Sequence, residues 1–213
     1  MKCTVIYDNE VSSKGLKADW GFSCFIEGEG QPRVLFDTGA KGPMLLHNMK
    51  VLGIDPAGIE LIVISHDHFD HTGGLASILE ETAGVELYVP RSFSGDLTGC
   101  KVTRVDRPMR ICEGLSTTGE LAGIEQSLVV ETGSGITVVA GCSHPGVGTI
   151  LDAASRYGRV TGLVGGLHGF SNIDRLEGLS LICPCHCTQR KAEIARAFPA
   201  QTRRCGAGLV LEL

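Results

Sequence analysis

A dense cluster of ionisable side chains follows an apolar run in the first third of the chain. The segment LIVISHDHFDHTGG, residues 61–74, places three histidines and two aspartates between positions 66 and 71. Placing so many chargeable groups against a buried strand is costly unless an ion or hydrogen-bond partners offset it. Imidazole and carboxylate are ligands of zinc, iron and manganese, so the segment predicts a metal site. A solvated histidine-rich turn is the alternative, and the adjacent apolar strand argues against it.

The spacing within this segment indicates how its ligands would be shared. In an extended stretch His66, His68 and Asp70 lie on one side of the chain. A turn into the following helix would bring His71 inward as well. One metal cannot easily take all four from so short a loop, so we predict two neighbouring metals that divide them.

Two further histidines stand in the same structural context, directly after an apolar run and before a helix-like stretch. His144 lies in AGCSHPG, after ITVVA, and His186 lies in CPCHCT, after LSLIC. Strand ends that lead into helices are where α/β sheets place their sites. Either histidine alone would be interpreted as a core or capping residue. Together with the first cluster, both are predicted to join the metal site.

The order of the apolar runs predicts the fold class. Short strand-like runs bounded by glycine, proline or aspartate alternate with helix-like stretches at about 43–52, 74–82, 147–157 and 189–197. A strand-rich start followed by strand–helix alternation recurs after about residue 127. The 29 glycines are about twice the usual share and favour tight turns. We expect an α/β four-layer αββα sandwich formed by a single domain over residues 1–213.

Composition limits the partners and the compartment. The net charge of −5 argues against a nucleic-acid partner, although a small anionic substrate needs only a local basic site. The sequence has no apolar stretch of the roughly 18 residues that a membrane span requires and no signal peptide, so we expect a cytoplasmic protein without a membrane partner. Nine cysteines in a chain of 213 residues indicate reduced thiols rather than a disulfide framework. The oligomeric state is left open.

The quoted motifs resemble a known superfamily. HDHFDH, GCSHPG and PCHCT, with LFDTG upstream, are similar to the motifs of the metallo-β-lactamase fold superfamily. GCSHPG, GGLH and CHCT resemble the branch of 7,8-dihydropterin-6-methyl-4-(β-D-ribofuranosyl)aminobenzene-5′-phosphate synthase-like proteins. The resemblance extends from about residue 20 to the C-terminus. It implies that one metal is held by His66, His68 and His144, and the second by Asp70, His71 and His186.

The resemblance also bears on the roles of Asp37, Gly166 and His168. Asp37 of LFDTG would fix the histidine loop by hydrogen bonds. Many members carry an aspartate that bridges the metals at the end of the strand after GCSHPG, but this chain has Gly166 there, which leaves the occupancy of the second metal position open. His168 could approach the metals or the substrate, or stand as a loop residue on the pocket rim. Cys142, Cys183, Cys185 and Cys187 are interpreted as small buried apolar residues.

Two divalent metals would support hydrolysis. We predict a metal-dependent hydrolase that uses metal-activated water on a small, anionic, phosphorylated substrate, with Asp70 and His168 as catalytic residues. The cofactors are two divalent ions, zinc first, with manganese or iron as alternatives. The branch resemblance implies a transferase that condenses a pterin pyrophosphate with an aminobenzene ribotide. A di-iron redox protein and a non-catalytic metal-binding module are further alternatives.

Overall fold

The computed structural model describes residues 1–95, 97 and 100–213, and its strands form two sheets. The first sheet has the order β13-β1-β2-β3-β4-β5-β6 and the second has the order β12-β11-β10-β9-β8-β7. The strands are β1 (Lys2–Tyr7), β2 (Ser23–Glu27), β3 (Val34–Phe36), β4 (Leu61–Val63), β5 (Glu86–Pro90), β6 (Lys101–Val105), β7 (Met109–Cys112), β8 (Leu115–Thr117), β9 (Leu128–Thr132), β10 (Gly135–Ala140), β11 (Val160–Gly166), β12 (Leu181–Cys185) and β13 (Val210–Glu212).

Each sheet combines antiparallel and parallel pairs. Strands β3 to β6 run parallel to one another, and so do β10 to β12, while the remaining pairs are antiparallel. Parallel strands need crossover connections, and helices supply several of these. The helices are α1 (Gly42–Leu52), α2 (Phe69–Thr72), α3 (Leu75–Glu81), α4 (Val147–Ala154) and α5 (Lys191–Ala197).

Three apolar layers confirm the predicted four-layer αββα sandwich. Alternate residues of each strand point to opposite faces, so Val5 packs between the sheets while Ile6 packs under the helices of the first sheet. Leu45 of α1 and Ile78 of α3 belong to that outer layer. Ile150 of α4 packs in the corresponding layer of the second sheet, which also includes α5.

Two adjacent glycines allow the histidine segment to pack closely against the first sheet. A Cβ on Gly73 would lie 2.1 Å from the carbonyl oxygen of Ala40, and one on Gly74 would lie 2.3 Å from that of Thr38. The Thr38 hydroxyl and backbone N–H both donate to the carbonyl of His71, at 2.9 and 2.8 Å. The loop after β3 therefore holds the end of α2 in place.

The strands that the sequence did not reveal are short, polar or at the sheet edges. β6 reads KVTRV and is largely exposed, and β7, β8 and β13 have only three or four residues each. The apolar run LSLIC, residues 179–183, was predicted as a strand, but the strand covers Leu181–Cys185 and so ends two residues nearer to His186. Among the described residues, no helix is long and apolar enough to cross a membrane.

Candidate metal centre

The predicted site residues converge at one edge of the sandwich. Parallel strands of both sheets end at this edge, so the loops that follow them meet there. The positions are Asp37 after β3, His66 after β4, His144 after β10, His168 after β11 and His186 after β12.

The first group of donor atoms belongs to three histidines. The nitrogens that His66, His68 and His144 offer all lie within 4.8 Å of one another. Nε2 of His66 lies 3.1 Å from Nδ1 of His68. Nε2 of His144 is buried and has no hydrogen-bond partner among the described residues. His144 therefore has a buried ring nitrogen that lies near two other imidazoles and has no hydrogen-bond partner among the described residues. This is the arrangement that a cation requires.

The second group combines a carboxylate with two histidines. Donor atoms of Asp70, His71 and His186 also lie within 4.8 Å of one another. Oδ2 of Asp70 is 3.0 Å from Nε2 of His186 and 3.9 Å from Nε2 of His71. All three residues are buried, so they form a second compact donor set beside the first.

Hydrogen bonds to the other ring nitrogen fix the tautomer of two of these histidines, His66 and His71. The Ser65 hydroxyl donates to Asp37 at 2.7 Å, so it accepts from Nδ1 of His66 at 2.8 Å. Nδ1 of His71 donates to Asp37 at 2.7 Å, whereas Nδ1 of His186 lies 2.9 Å from the side-chain oxygen of Asn9 and 3.2 Å from the backbone N–H of Gly21. Nε2 of His66 and of His71 therefore carries a lone pair. Five imidazoles and one carboxylate, with two of the imidazoles oriented in this way, fit two divalent ions.

Asp37 makes the hydrogen bonds that were expected of it. Its carboxylate accepts from the backbone N–H and the hydroxyl of Ser65, both at 2.7 Å, as well as from His71. Ser65 in turn holds His66. One buried carboxylate thus orients a histidine in each donor group.

Left-handed backbone conformations are concentrated around the site. Of the five non-glycine residues with positive φ in the described chain, four lie in its loops: Asp37 (55°), Ser143 (59°), His168 (45°) and His186 (41°). Such conformations are uncommon for residues with a Cβ, and they are typical of functional loops. Four of the loops that follow strands therefore adopt an uncommon backbone conformation at the site.

Glu125, which lies in none of the motifs quoted above, holds the loop that carries His144. One of its carboxylate oxygens accepts from the backbone N–H groups of Gly141, Cys142 and Ser143 at 3.0–3.1 Å, and the other accepts from His144 N–H at 2.8 Å. Burial raises the pKa of Glu125 to about 7, and these N–H groups oppose the rise. An isolated glutamate in a polar loop gives no sequence signal of this role.

Burial also controls the protonation of the site. It lowers the pKa of His66 well below its usual range, with the neighbouring His71 and His144 adding to the effect. It lowers the pKa of His71 to about 3, helped by His186. Burial opposes ionisation of Asp70, but the hydrogen bond from His186 and the nearby His71 outweigh it and lower the Asp70 pKa. His66 and His71 are therefore neutral beside an ionised Asp70, and these are the forms that bind metals.

We expect His66 and His71 of the metal-free protein to remain neutral between pH 8 and pH 5. A histidine whose pKa is lowered stays unprotonated at every pH above that pKa, whereas an unperturbed imidazole titrates near 6.5. Nitrogen-15 NMR of the imidazole rings over this range measures the protonation directly. A titration midpoint near 6.5 for either ring would contradict the expectation.

The mouth of the site carries His168 and two exposed aromatic side chains. His168 is exposed, and its ring centre lies 5.2 Å from that of His144, but it belongs to neither donor group. The indole of Trp20 is 52% exposed and packs edge-on against His186, with ring centres 4.7 Å apart. Phe69, between His68 and Asp70, is 67% exposed. This rim can contact a substrate with an aromatic or flat portion.

The cysteines divide between the core and the site. Cys183 and Cys185 pack between the sheets near Cys205, as expected for buried apolar residues. Cys142 and Cys187 are also buried, but their sulfurs lie within 4.8 Å of the His186 donor atom. Strand alternation would place Cys187 with Cys183 and Cys185; the left-handed conformation of His186 ends that alternation and turns Cys187 toward the site.

One protein family and three known proteins are similar to this chain in sequence or in fold. A family profile described as a β-lactamase superfamily domain matches residues 32–164, more than half of the chain. The 7,8-dihydropterin-6-methyl-4-(β-D-ribofuranosyl)-aminobenzene-5′-phosphate synthase of Methanocaldococcus jannaschii is 28% identical over 90% of this chain and 89% of its own. The crystal structure of Tm1679, described as a metal-dependent hydrolase of the β-lactamase superfamily, is 28% identical with a TM-score of 0.83, covering 100% of this chain and 99% of that chain. The metallo-β-lactamase fold protein YhfI from Bacillus subtilis shares the fold at 13% identity, with a TM-score of 0.69 and 99% of each chain covered.

Proposed function

The chain belongs to the metallo-β-lactamase superfamily, and on that basis we propose that it is a two-metal hydrolase acting on a small phosphorylated substrate. The observation that carries the proposal is the pair of donor groups, in which Nδ1 of His66 and of His71 is hydrogen-bonded and Nε2 carries a lone pair. In this proposal the ligands of one metal are His66, His68 and His144, and those of the other are Asp70, His71 and His186.

Two bound divalent ions would activate a water molecule and polarise a phosphoryl or carbonyl oxygen. The protein's own contribution begins with Asp70, which stays ionised and accepts from His186, so it is available to orient the attacking water. We assign His168 to the leaving group, because it is exposed beside His144 and is free of both donor groups. From this position its imidazole can donate a proton as the leaving group departs.

A transferase is the second candidate. The synthase from Methanocaldococcus jannaschii matches 90% of the chain, and its name describes a product that joins a dihydropterin to a ribofuranosylaminobenzene phosphate. Trp20 and Phe69 favour this candidate, because exposed aromatic faces beside the donor groups can stack on a flat pterin ring. The substrates would then be a pterin pyrophosphate and an aminobenzene ribotide, with diphosphate as the leaving group.

An assay of the zinc-loaded protein distinguishes the two candidates. Phosphoesters, thioesters, lactones and amides are tested for hydrolysis, and a pterin pyrophosphate is tested with and without an aminobenzene ribotide. Hydrolysis of a phosphoester supports the first candidate; diphosphate release that requires the ribotide supports the second. If Trp20 stacks on a pterin, Trp20→Ala should raise KM for the pterin substrate and leave KM for a simple phosphoester unchanged. Zinc-loaded protein that turns over neither class would contradict the proposal.

We expect His168→Asn to lower kcat by about 10²–10⁴-fold, the usual contribution of a general acid. Asparagine tolerates the left-handed backbone at this position, so the loop should keep its shape. Zinc content, measured by elemental analysis, should stay at the wild-type value. His47→Gln is the matched control, since His47 lies on α1 and contacts the carbonyl of Gly15. An unchanged kcat in His168→Asn would remove His168 from the mechanism.

A further inference from the structure

The space in which a bridging aspartate would stand contains a thiol. Gly166 ends β11 at the position where the superfamily resemblance implies that carboxylate. A Cβ built on Gly166 would lie 2.6 Å from the Cys187 sulfur and 2.5 Å from the carbonyl oxygen of Gly141. Real Cβ atoms do not approach other atoms so closely, so no side chain fits at position 166 without displacing Cys187. The absence of a side chain at Gly166 is therefore what allows the Cys187 sulfur to pack at this point.

A second thiol lies between the two donor groups. The sulfur of Cys142 is 3.2 Å from Nε2 of His71. It lies within 4.8 Å of the donor atoms of His66 and His71, and in a separate group within 4.8 Å of those of His186 and Cys187. His66 belongs to the first donor group, whereas His71 and His186 belong to the second. Among the described cysteines, Cys142 is the one that reaches both groups.

The surroundings fix the position of this sulfur. The backbone N–H of Cys142 donates to Glu125 at 3.0 Å, and the Cys187 thiol lies 3.9 Å from the Cys142 carbonyl oxygen. Cys142 is 3% exposed, so its contacts are with protein groups. Nδ1 of His71 donates to Asp37, so the Nε2 atom that faces the sulfur carries a lone pair. The Cys142 sulfur and the Nε2 lone pair of His71 therefore face each other at 3.2 Å, with no carboxylate between them.

We propose that Cys142, held against Gly166 by Cys187, is the sulfur ligand that replaces the bridging carboxylate in the two-metal centre. On binding, the thiol loses its proton to solvent and contributes the negative charge that the missing aspartate would have carried. A thiolate favours zinc, cobalt or iron over manganese or magnesium, so the centre is selective for thiophilic divalent ions. This inference rests on the two-metal site proposed above.

Cobalt loading tests the ligand directly. Metal-free wild-type protein, kept reduced, is titrated with Co²⁺ while its absorption spectrum and bound cobalt are recorded. We expect sulfur-to-cobalt charge-transfer absorption in the near ultraviolet, and its loss in Cys142→Ser together with at least a 10-fold weaker affinity for the second cobalt ion. Cys187→Ser should keep the band, and Cys112→Ser, a partly exposed cysteine on β7, should match the wild type. In the zinc-loaded wild type, X-ray absorption should contain a sulfur shell at about 2.3 Å.

The outcomes separate this inference from the proposed function. Two bound cobalt ions without charge-transfer absorption, or a zinc spectrum without sulfur, would overturn the sulfur ligand and leave the two-metal site standing. A band that survives in Cys142→Ser and disappears in Cys187→Ser would overturn the assignment to Cys142. Wild-type protein that binds no cobalt or zinc would overturn both proposals. The wild-type spectra decide whether any sulfur binds the metal, and the Cys142→Ser spectrum decides whether that sulfur belongs to Cys142.

Discussion

Zinc at about a thousand times its dissociation constant is expected to raise the midpoint of thermal unfolding by about 8–16 °C relative to the metal-free protein. A ligand that binds only the folded state at this concentration contributes about 4 kcal/mol. For a domain of 150–250 residues, each kcal/mol moves the midpoint by about 2–4 °C. Calorimetry with zinc and with a chelator measures the difference, and elemental analysis gives the metal content of the same samples.

His68→Ala isolates the metal's contribution from that of packing. The His68 ring is exposed, and among the described residues its one side-chain hydrogen bond is with His66, so the metal-free variant should unfold near the wild-type midpoint. The rise in the unfolding midpoint on adding zinc should be smaller than in the wild type, because the first donor group loses a ligand. His47→Gln removes a histidine outside the site and should show the same zinc-induced rise in the unfolding midpoint as the wild type. An equal increase in His68→Ala would exclude His68 as a ligand.

Replacing Glu125 with alanine is expected to lower the free energy of unfolding of the metal-free protein by about 4 kcal/mol. Four backbone N–H groups lose their buried acceptor, and each unsatisfied donor costs roughly 1–3 kcal/mol before water enters the space. Glu125→Gln keeps one carbonyl oxygen for part of this set, so its loss should be about half as large. Denaturant unfolding with a linear extrapolation measures both variants.

Glu131→Ala provides a matched control for this effect. Glu131 is partly exposed on β9 and pairs with Arg110 at 3.3 Å, so its loss should cost less than about 1 kcal/mol. Glu125→Ala should also bind less zinc, because Glu125 positions the loop that carries His144. A Glu125→Ala variant as stable as the control would show that the loop keeps its shape without the carboxylate.

Local patterns were sufficient to predict the sandwich and the convergence of the histidines. Apolar runs followed by histidines gave strand ends, and parallel strands bring their carboxyl ends to one edge, so residues as distant as His66 and His186 could be placed together. The sandwich and the convergence of the histidines depend on residue type and on the period of two in strands, both of which are readable in a single chain. The hydrogen bonds of Asp37 were expected only from the resemblance of LFDTG to the superfamily motif.

Other features depend on contacts between segments that no local pattern connects. Glu125 is one polar residue in a loop, and only the folded chain brings four N–H groups of residues 141–144 to it. Cys142 and Cys187 were interpreted as core residues because cysteine is a frequently buried type; their burial is confirmed, but both border the site. The left-handed backbone at His186 reversed the side expected for Cys187, and alternation cannot anticipate such a break.

Each donor group takes residues from both sheets, and this division ties the metals to the integrity of the whole fold. Asp70 and His186, which are in direct contact, lie 116 positions apart in the chain, and His66 and His144 belong to different sheets. Neither half of the sequence contains a complete donor group, so a fragment of either half cannot assemble the centre. Any fluctuation that parts the two sheets must also separate the ligands. Metal occupancy should therefore slow amide hydrogen exchange in strands of both sheets together, so that the two halves open as one cooperative unit.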